Sequence, residues 1–300
     1  MSDQTNGPDL DGTITWRALL DETRMLLERS GVTENAQIEA RWIIEEITGE
    51  TGPELSEVLD GLATTRGVAK LDALVARRSA GEPIQYVLGH WAFRTIDLFV
   101  DPRVLIPRPE TEIVTGLALD ELDRLRPAGE GVVADLGTGS GAIGLSVAVE
   151  RPGARVVLTD ASTDALTVAR ANLTGLGRAA RDVEITEGSW FDALPERYLG
   201  EFDVVISNPP YIGTGEELAS SVLDWEPESA LRAGESGMDD LLHLVENAAE
   251  WLRPAGSIVL EMAAGQTTLI AARGAELGYS TSIHNDLAGI DRAVVLRRGE

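Results

Sequence analysis

The stretch GVVADLGTGSGAIGLSVAVE, residues 131–150, decides the fold of this 300-residue chain. It opens as the short buried-strand pattern GVVADL and passes into a turn in which glycine alternates with small hydroxyl residues. It then resumes as the apolar helical run GAIGLSVAVE. Strand, glycine turn and helix in that order are the first half of a βαβ unit. The chain downstream repeats the alternation. RVVLTD (155–160), VEIT (183–186), FDVVIS (202–207), GSIVLEM (256–262) and AVVLRR (293–298) read as strands. STDALTVARANLTG, GMDDLLHLVENAAEWLRP and QTTLIAARGAELG read as helices between them. This predicts an α/β fold, a mostly parallel sheet with helices on both faces. Ligands then bind outside the carboxyl ends of the strands.

Upstream the texture differs. Residues 1–12, MSDQTNGPDLDG, are polar and acidic and read as a disordered tail. Residues 13–81 read as a small helical domain. Its first helix has Thr15 as cap and Gly31 as stop, and its second carries Ile38, Trp42, Ile43 and Ile47 on one face before Gly49. LSEVLDGL and GVAKLDALVARRSAG supply two shorter helical segments. From Gly81 the chain is rich in Pro, aromatic and β-branched residues. Strand-like pieces at 84–88 and 93–100 predict a β-hairpin connector over 82–106. The ligand-binding α/β domain then fills 107–300, beginning with the helical ETEIVTGLALDELDRL.

Composition narrows the classes of function. The formal net charge is −25 and Lys70 is the only lysine, so a basic stripe for direct nucleic-acid binding is not expected. No apolar run reaches the roughly 18 residues of a membrane span, and the N-terminus lacks the basic and apolar regions of a signal peptide. A cytoplasmic monomer that does not engage membrane is expected. There is no Cys, which excludes disulfides and a thiol nucleophile, and His90, His243 and His284 are far apart in sequence, so no metal site is expected.

Gly139, Gly141 and Gly144 satisfy G-x-G-x-x-G, and Asp160 closes the next strand about 20 residues on, so the turn reads as a nucleotide site. By pattern alone NAD is open as the ligand. The run Asp135-Leu136-Gly137-Thr138-Gly139-Ser140-Gly141 resembles motif I of the class I methyltransferases that use S-adenosylmethionine. That resemblance implies that Gly137, Thr138, Gly139, Ser140 and Gly141 wrap the methionine and ribose portions. It also implies that Asp160 holds the ribose hydroxyls. GSWFD (188–192) follows the third strand, where the family flanks the adenine with an aromatic and a polar residue; Trp190 and Ser189 are the candidates.

SNPPY (207–211) ends the fourth strand, FDVVIS, beside the first. Asn-Pro-Pro-Tyr at this place resembles methyltransferases that modify a planar nitrogen. An amide nitrogen is a poor nucleophile because its lone pair is delocalised. Two fixed acceptors, one for each N–H, leave the nitrogen facing the methyl donor. The Asn208 side-chain oxygen and the Pro209 carbonyl suit this task, with Asn208 also near the cofactor. The rings of Pro209 and Pro210 stiffen the turn. Tyr211 offers a flat face to the substrate amide. Such acceptors also stabilise positive charge developing on nitrogen.

GEPIQYVLGHWAFRTIDLFVDPRVLIPRPETE (81–112), with LIPRPETE its most distinctive part, is similar to the connector of the release factor glutamine methyltransferases, the bacterial enzymes called PrmC or HemK. EPESALRAGESGMDDL (226–241) resembles that family's loop after the Asn-Pro-Pro-Tyr motif. The likeness covers roughly residues 13 to 298. It implies N5-methylation of the glutamine in the Gly-Gly-Gln loop of peptide chain release factors, with the helical domain, the connector and the 212–237 loop as docking surfaces. The chain departs from the family's usual residues at Ala92-Phe93 and at Asp224-Trp225. Alternatives are a glutamine methyltransferase acting on a ribosomal protein, an adenine-N6 DNA methyltransferase, an NAD-dependent oxidoreductase, and a non-catalytic nucleotide-binding module. The IPRPETE signature weighs against the first, the charge against the second, and Asn-Pro-Pro-Tyr against the third. Retention of every expected chemical group weighs against the last. Arg108 and Glu110 read as an ion pair or as a cap for the helix starting near 111.

Overall fold

The computed structural model describes residues 11–217 and 220–300. The tail expected over 1–12 falls outside the described residues except for Asp11 and Gly12, which open a strand. The chain divides into two compact units, the first ending at Gly89 and the second spanning His90–Glu300.

In the first unit strand β1 (Asp11–Thr15) pairs antiparallel with β2 (Leu62–Thr64). The helices are α1 (Trp16–Ser30), α2 (Ala36–Thr48), α3 (Gly52–Leu59), α4 (Thr65–Ser79) and α5 (Ile84–Leu88). Thr15 caps α1, its Oγ1 accepting from the Ala18 N–H at 3.3 Å. Thr64 caps α4 the same way, from the Gly67 N–H at 3.0 Å. Leu27, Ala40, Ile43 and Ile44 are fully buried at the centre. Among them the buried Arg78 donates from Nε to Glu39 at 2.6 Å and from its other nitrogens to the Val32 and Glu82 carbonyls. A buried charge pair is tolerable when its remaining donors are satisfied in this way. On the surface Lys70 Nζ reaches Glu46 Oε1 at 2.9 Å.

The strand expected over 84–88 is instead the short helix α5. Pro83 opens it and Gly89 closes it in the left-handed conformation, with the Gly89 N–H bonded to the Gln85 carbonyl at 2.9 Å. The aromatic and β-branched content of IQYVL pointed to a strand, but its two flanking residues fix a single helical turn. The helical unit therefore runs to Gly89, and the hairpin belongs to the second unit. It consists of β3 (His90–Phe93) and β4 (Ile96–Phe99), turning at Arg94 with φ 51°. The Arg94 guanidinium clasps Glu150 at 2.7 and 2.8 Å, which ties the turn to the α/β layers.

The second unit continues with α6 (Pro109–Leu125), β5 (Gly131–Leu136), α7 (Ala142–Glu150), β6 (Ala154–Asp160), α8 (Thr163–Leu176), β7 (Val183–Glu187), β8 (Phe202–Ser207), α9 (Ser220–Leu223), α10 (Asp239–Trp251), β9 (Leu252–Glu261), α11 (Ala264–Glu276), β10 (Ser280–Asn285) and β11 (Asp291–Arg297). Among the described residues seven strands form one sheet in the order β10-β11-β9-β8-β5-β6-β7, and only β11 runs against its neighbours. Val132, Ala134 and Leu136 of β5 share an apolar cluster with Leu241, Leu244 and Val245 of α10 and Ile270 of α11. On the opposite face α7 comes so close that a Cβ on Gly144 would stand 2.0 Å from Leu158 Cδ2. Helices thus cover both faces, as the alternation predicts. The carboxyl ends of β5 and β8 lie side by side at the centre.

Candidate active site

The glycine turn between β5 and α7 is built around Asp135. Its side chain is fully buried, and its Oδ2 accepts from the Thr138 hydroxyl at 2.6 Å and the Gly144 N–H at 2.9 Å. Oδ1 has no partner among the described residues. Burial pushes this carboxyl up to about 6 against the pull of its two donors. Asp135 is thus an internal tie of the turn. Gly137 has φ 72°, and a Cβ there would stand 3.2 Å from the Trp190 ring, so this position needs glycine for both conformation and space.

Asp160, the last residue of β6, accepts from the Gly139 N–H at 2.8 Å through Oδ2 and from the Ser162 N–H at 2.9 Å through Oδ1. Each oxygen keeps lone-pair capacity for a further donor. Burial raises its pKa, partly offset by these backbone donors. Trp190 stands across from Gly137 with φ 46°, uncommon for a bulky residue and a sign that its surroundings hold it there. Its Nε1–H donates to Asp240 Oδ1 at 3.1 Å.

At the end of β8 the Ser207 hydroxyl donates to the Leu136 carbonyl at 2.6 Å, joining the two central strand ends. The Asn208 Nδ2 donates to the Thr111 Oγ1 at 3.2 Å. Tyr211 is partly buried against the apolar cluster, its carbonyl accepting from the Gln266 Nε2 at 2.9 Å. Burial pushes its hydroxyl up to about 12, so it stays protonated.

A cavity of about 410 Å³ opens over these strand ends. Gly137, Thr138, Gly139, Ser140, Asp160, Ser189, Trp190, Asn208 and Pro210 line it, together with Arg108, Thr111, Pro227 and Asp240. The structure thus gathers most of the residues singled out from sequence around one space. Gly141, Pro209 and Tyr211 stand outside the lining: Gly141 caps the start of α7, Pro209 is buried, and Tyr211 lies on the core side.

Residues 112–225 match the Methyltransferase small domain family, and residues 18–89 match the PrmC N-terminal domain. A release factor glutamine methyltransferase from Geobacter sulfurreducens is 36% identical over 288 residues, which cover 95% of this chain and 97% of that protein. The chain belongs to the release factor glutamine methyltransferase family. Another member, from Moorella thermoacetica, is 38% identical over 291 residues, covering 96% of this chain and 100% of its own. The crystal structure of a methyltransferase from Pyrococcus furiosus, 22% identical, covers 76% of this chain and 98% of its own with a TM-score of 0.51, and shares the fold.

In this methyltransferase several site residues lie in stretches that the sequence singles out, but their partners do not follow from it. Asp240, in the first turn of α10, fixes the Trp190 indole from 50 residues away. Glu226 is buried, accepts from the Ile106 N–H at 3.1 Å and pairs with Arg108. Arg108 therefore joins the IPRPETE segment to the Glu-Pro segment, and Glu110 sits in the first turn of α6 instead of pairing with it. The Glu261 carboxyl at the end of β9 is buried, and burial pushes it up to about 7.

Proposed function

We propose that this methyltransferase uses S-adenosylmethionine to methylate the side-chain N5 of the glutamine in the Gly-Gly-Gln loop of peptide chain release factors. The cavity suits such a cofactor. Its volume of about 410 Å³ falls in the range of small-molecule sites, about 300–1,000 Å³. Asp160 retains acceptor capacity for ribose hydroxyls, Gly137 leaves room beneath the Trp190 ring, and Ser189 adds a hydroxyl near that ring. The turn from Gly137 to Gly141 would hold the methionine and ribose portions. When bound, the cofactor supplies an electrophilic methyl group carried on a sulfonium.

The protein's part in the chemistry falls to the turn at 208–211. The observation that carries this reading is the Asn208 amide on the cavity wall. Its Nδ2 is committed to Thr111, which leaves Oδ1 as an acceptor. One N–H of the substrate amide would bond to Oδ1; the acceptor that the Asn-Pro-Pro-Tyr resemblance implies for the other is the Pro209 carbonyl, although Pro209 itself stands outside the cavity lining. Both acceptors strengthen as positive charge develops on nitrogen. Pro209 and Pro210 fix the backbone that aims the carbonyl, and Tyr211 anchors the turn through its ring and its bond to Gln266. Holding the amide in this geometry supplies the orientation that a free encounter lacks.

Incubation with methyl-labelled cofactor, a purified release factor, and the same factor with its loop glutamine replaced by alanine tests the reading. Label is expected on the first factor alone. Equal label on both would remove the glutamine from the assignment.

A further inference from the structure

We infer that Asp240 is a specificity residue for the cofactor, accepting a hydrogen bond from the exocyclic amine of the adenine that Trp190 covers. The inference rests on the cofactor proposed above and adds what distinguishes a 6-amino purine from a 6-oxo one. Among the described residues two acids line the cavity, Asp160 and Asp240. Asp160 accepts a backbone N–H on each oxygen and has the ribose as its proposed ligand. Asp240 has no task in that reading. An acid in the first turn of a helix is ordinary, because that end favours negative charge. Asp239 meets this need from an exposed position, whereas Asp240 is partly buried and bonded to the indole.

The indole sets what Asp240 can offer. The Cζ3 and Cη2 edge of the Trp190 ring faces Gly137, and its Nε1–H donates to Asp240 Oδ1 at 3.1 Å. The carboxylate therefore stands at the rim of the ring, where a stacked base presents its own polar edge. Oδ2 has no hydrogen-bond partner among the described residues, and its side chain is on the cavity wall. An ionised carboxylate can only accept. It matches the amine of adenine and opposes the carbonyl that hypoxanthine carries at the same place. Ser189, in the same lining, cannot make this distinction, because a hydroxyl turns to donate or to accept. A site whose polar group is matched to an N–H rejects the analogue that lacks it.

The test compares S-adenosylhomocysteine, the product left when the methyl group departs, with S-inosylhomocysteine, its 6-oxo analogue. Calorimetry measures the affinity of each for the parent and for Asp240→Asn. The parent is expected to bind the adenosyl compound about tenfold or more tightly, the scale of one hydrogen bond to a charged group. In Asp240→Asn the indole N–H still requires an acceptor, so the new amide turns its oxygen to Trp190 and its NH2 to the ligand. The preference should then shrink to parity or reverse, a change of about tenfold or more in the ratio of the two affinities. A residue that merely propped the indole would affect both ligands alike. An unchanged ratio in Asp240→Asn therefore overturns the inference, as does equal affinity of the parent for the two compounds. The parent's own ratio needs no variant and decides the matter if the substitution impairs folding. Failure of the parent to bind S-adenosylhomocysteine at all would remove the cofactor reading and this inference with it, whereas binding without discrimination removes this inference alone.

Discussion

The turn after β5 and the turn after β8 lie side by side yet are held in opposite ways. The first is tied largely from within, Asp135 bonding Thr138 and Gly144 three and nine residues along the chain, with further bonds to the end of the neighbouring strand β6. The second is braced from afar. Asn208 is held by Thr111, 97 residues back, Tyr211 by Gln266, 55 residues on, and Ser207 by Leu136, 71 residues back. A self-tied turn couples its shape to local stability, so damage to it should reach binding and folding together. A remotely braced turn can lose its aim while the fold stands. Under the proposed function the two would divide the work, the first making a place for the cofactor and the second directing the substrate.

The largest expected effect is on the braced turn. Asn208→Ala should slow single-turnover methylation about 10²–10³-fold, the usual cost of one preorganised electrostatic group, with an unchanged melting temperature. A rate within about threefold of the parent, less than a 1.4 kcal/mol change in barrier, would deny it the accepting role. Beside the glycine turn, Asp160→Ala should weaken S-adenosylmethionine binding by about 1.5–3 kcal/mol by calorimetry, the range for hydrogen bonds to a charged group. Unchanged affinity, or tight NAD binding by the parent, would move the cofactor assignment elsewhere.

Gly144→Ala sharpens the contrast. Its Cβ would meet Leu158 at 2.0 Å and Asp135 Oδ2 at 3.0 Å, so the α7 start must shift. Overpacking of this kind costs about 1–3 kcal/mol, and denaturant unfolding and cofactor affinity should fall in step. A stable variant with normal affinity would show that the turn is not coupled to the fold.

The smallest effect concerns pH. Glu261 titrates at about 7 in the folded protein against 4.5 as its ordinary value, because it is buried. Arg108 and Arg292 pull it down and Glu110 pushes it up without cancelling that shift. As pH rises the unfolded chain gives up this proton first, so this group lowers stability between about pH 4.5 and 7. Glu261→Gln should flatten that decline in chemical denaturation curves. A slope identical to the parent's would mean that the carboxyl does not titrate where its burial puts it.

What was legible in the sequence follows the same division. The glycine turn could be read because its partners share one stretch, and the strands of the sheet could be read because each buried strand is a continuous apolar run. Strand β10 was not found: its burial alternates weakly at the sheet edge. The short pair β1 and β2 was missed as well, because three residues of LAT carry no period. The helix at 84–88 depended on Pro83 and Gly89, not on the residues between them. At the site, Asn208 and Trp190 stood out as residues, but what holds them did not. Thr111, Glu226, Asp240 and Gln266 become neighbours only once the chain has folded. Arg108 could be seen to want an acid, yet Glu226, 118 residues on, is the one it meets.

Lys70 has a practical consequence. It is the only side-chain amine in the sequence, and it lies on α4 of the helical unit. Chemistry specific to lysine side chains, such as an enzymatic acylation or amine labelling under conditions that spare an α-amino group, therefore has a single address, remote in sequence from every residue lining the cavity. Its half-exposed pair with Glu46 is worth about 1 kcal/mol or less, so tagging it should leave the helical unit folded. A fluorophore placed there would report from that unit alone, and a change in its signal on adding a protein substrate would show directly whether the helices meet that substrate.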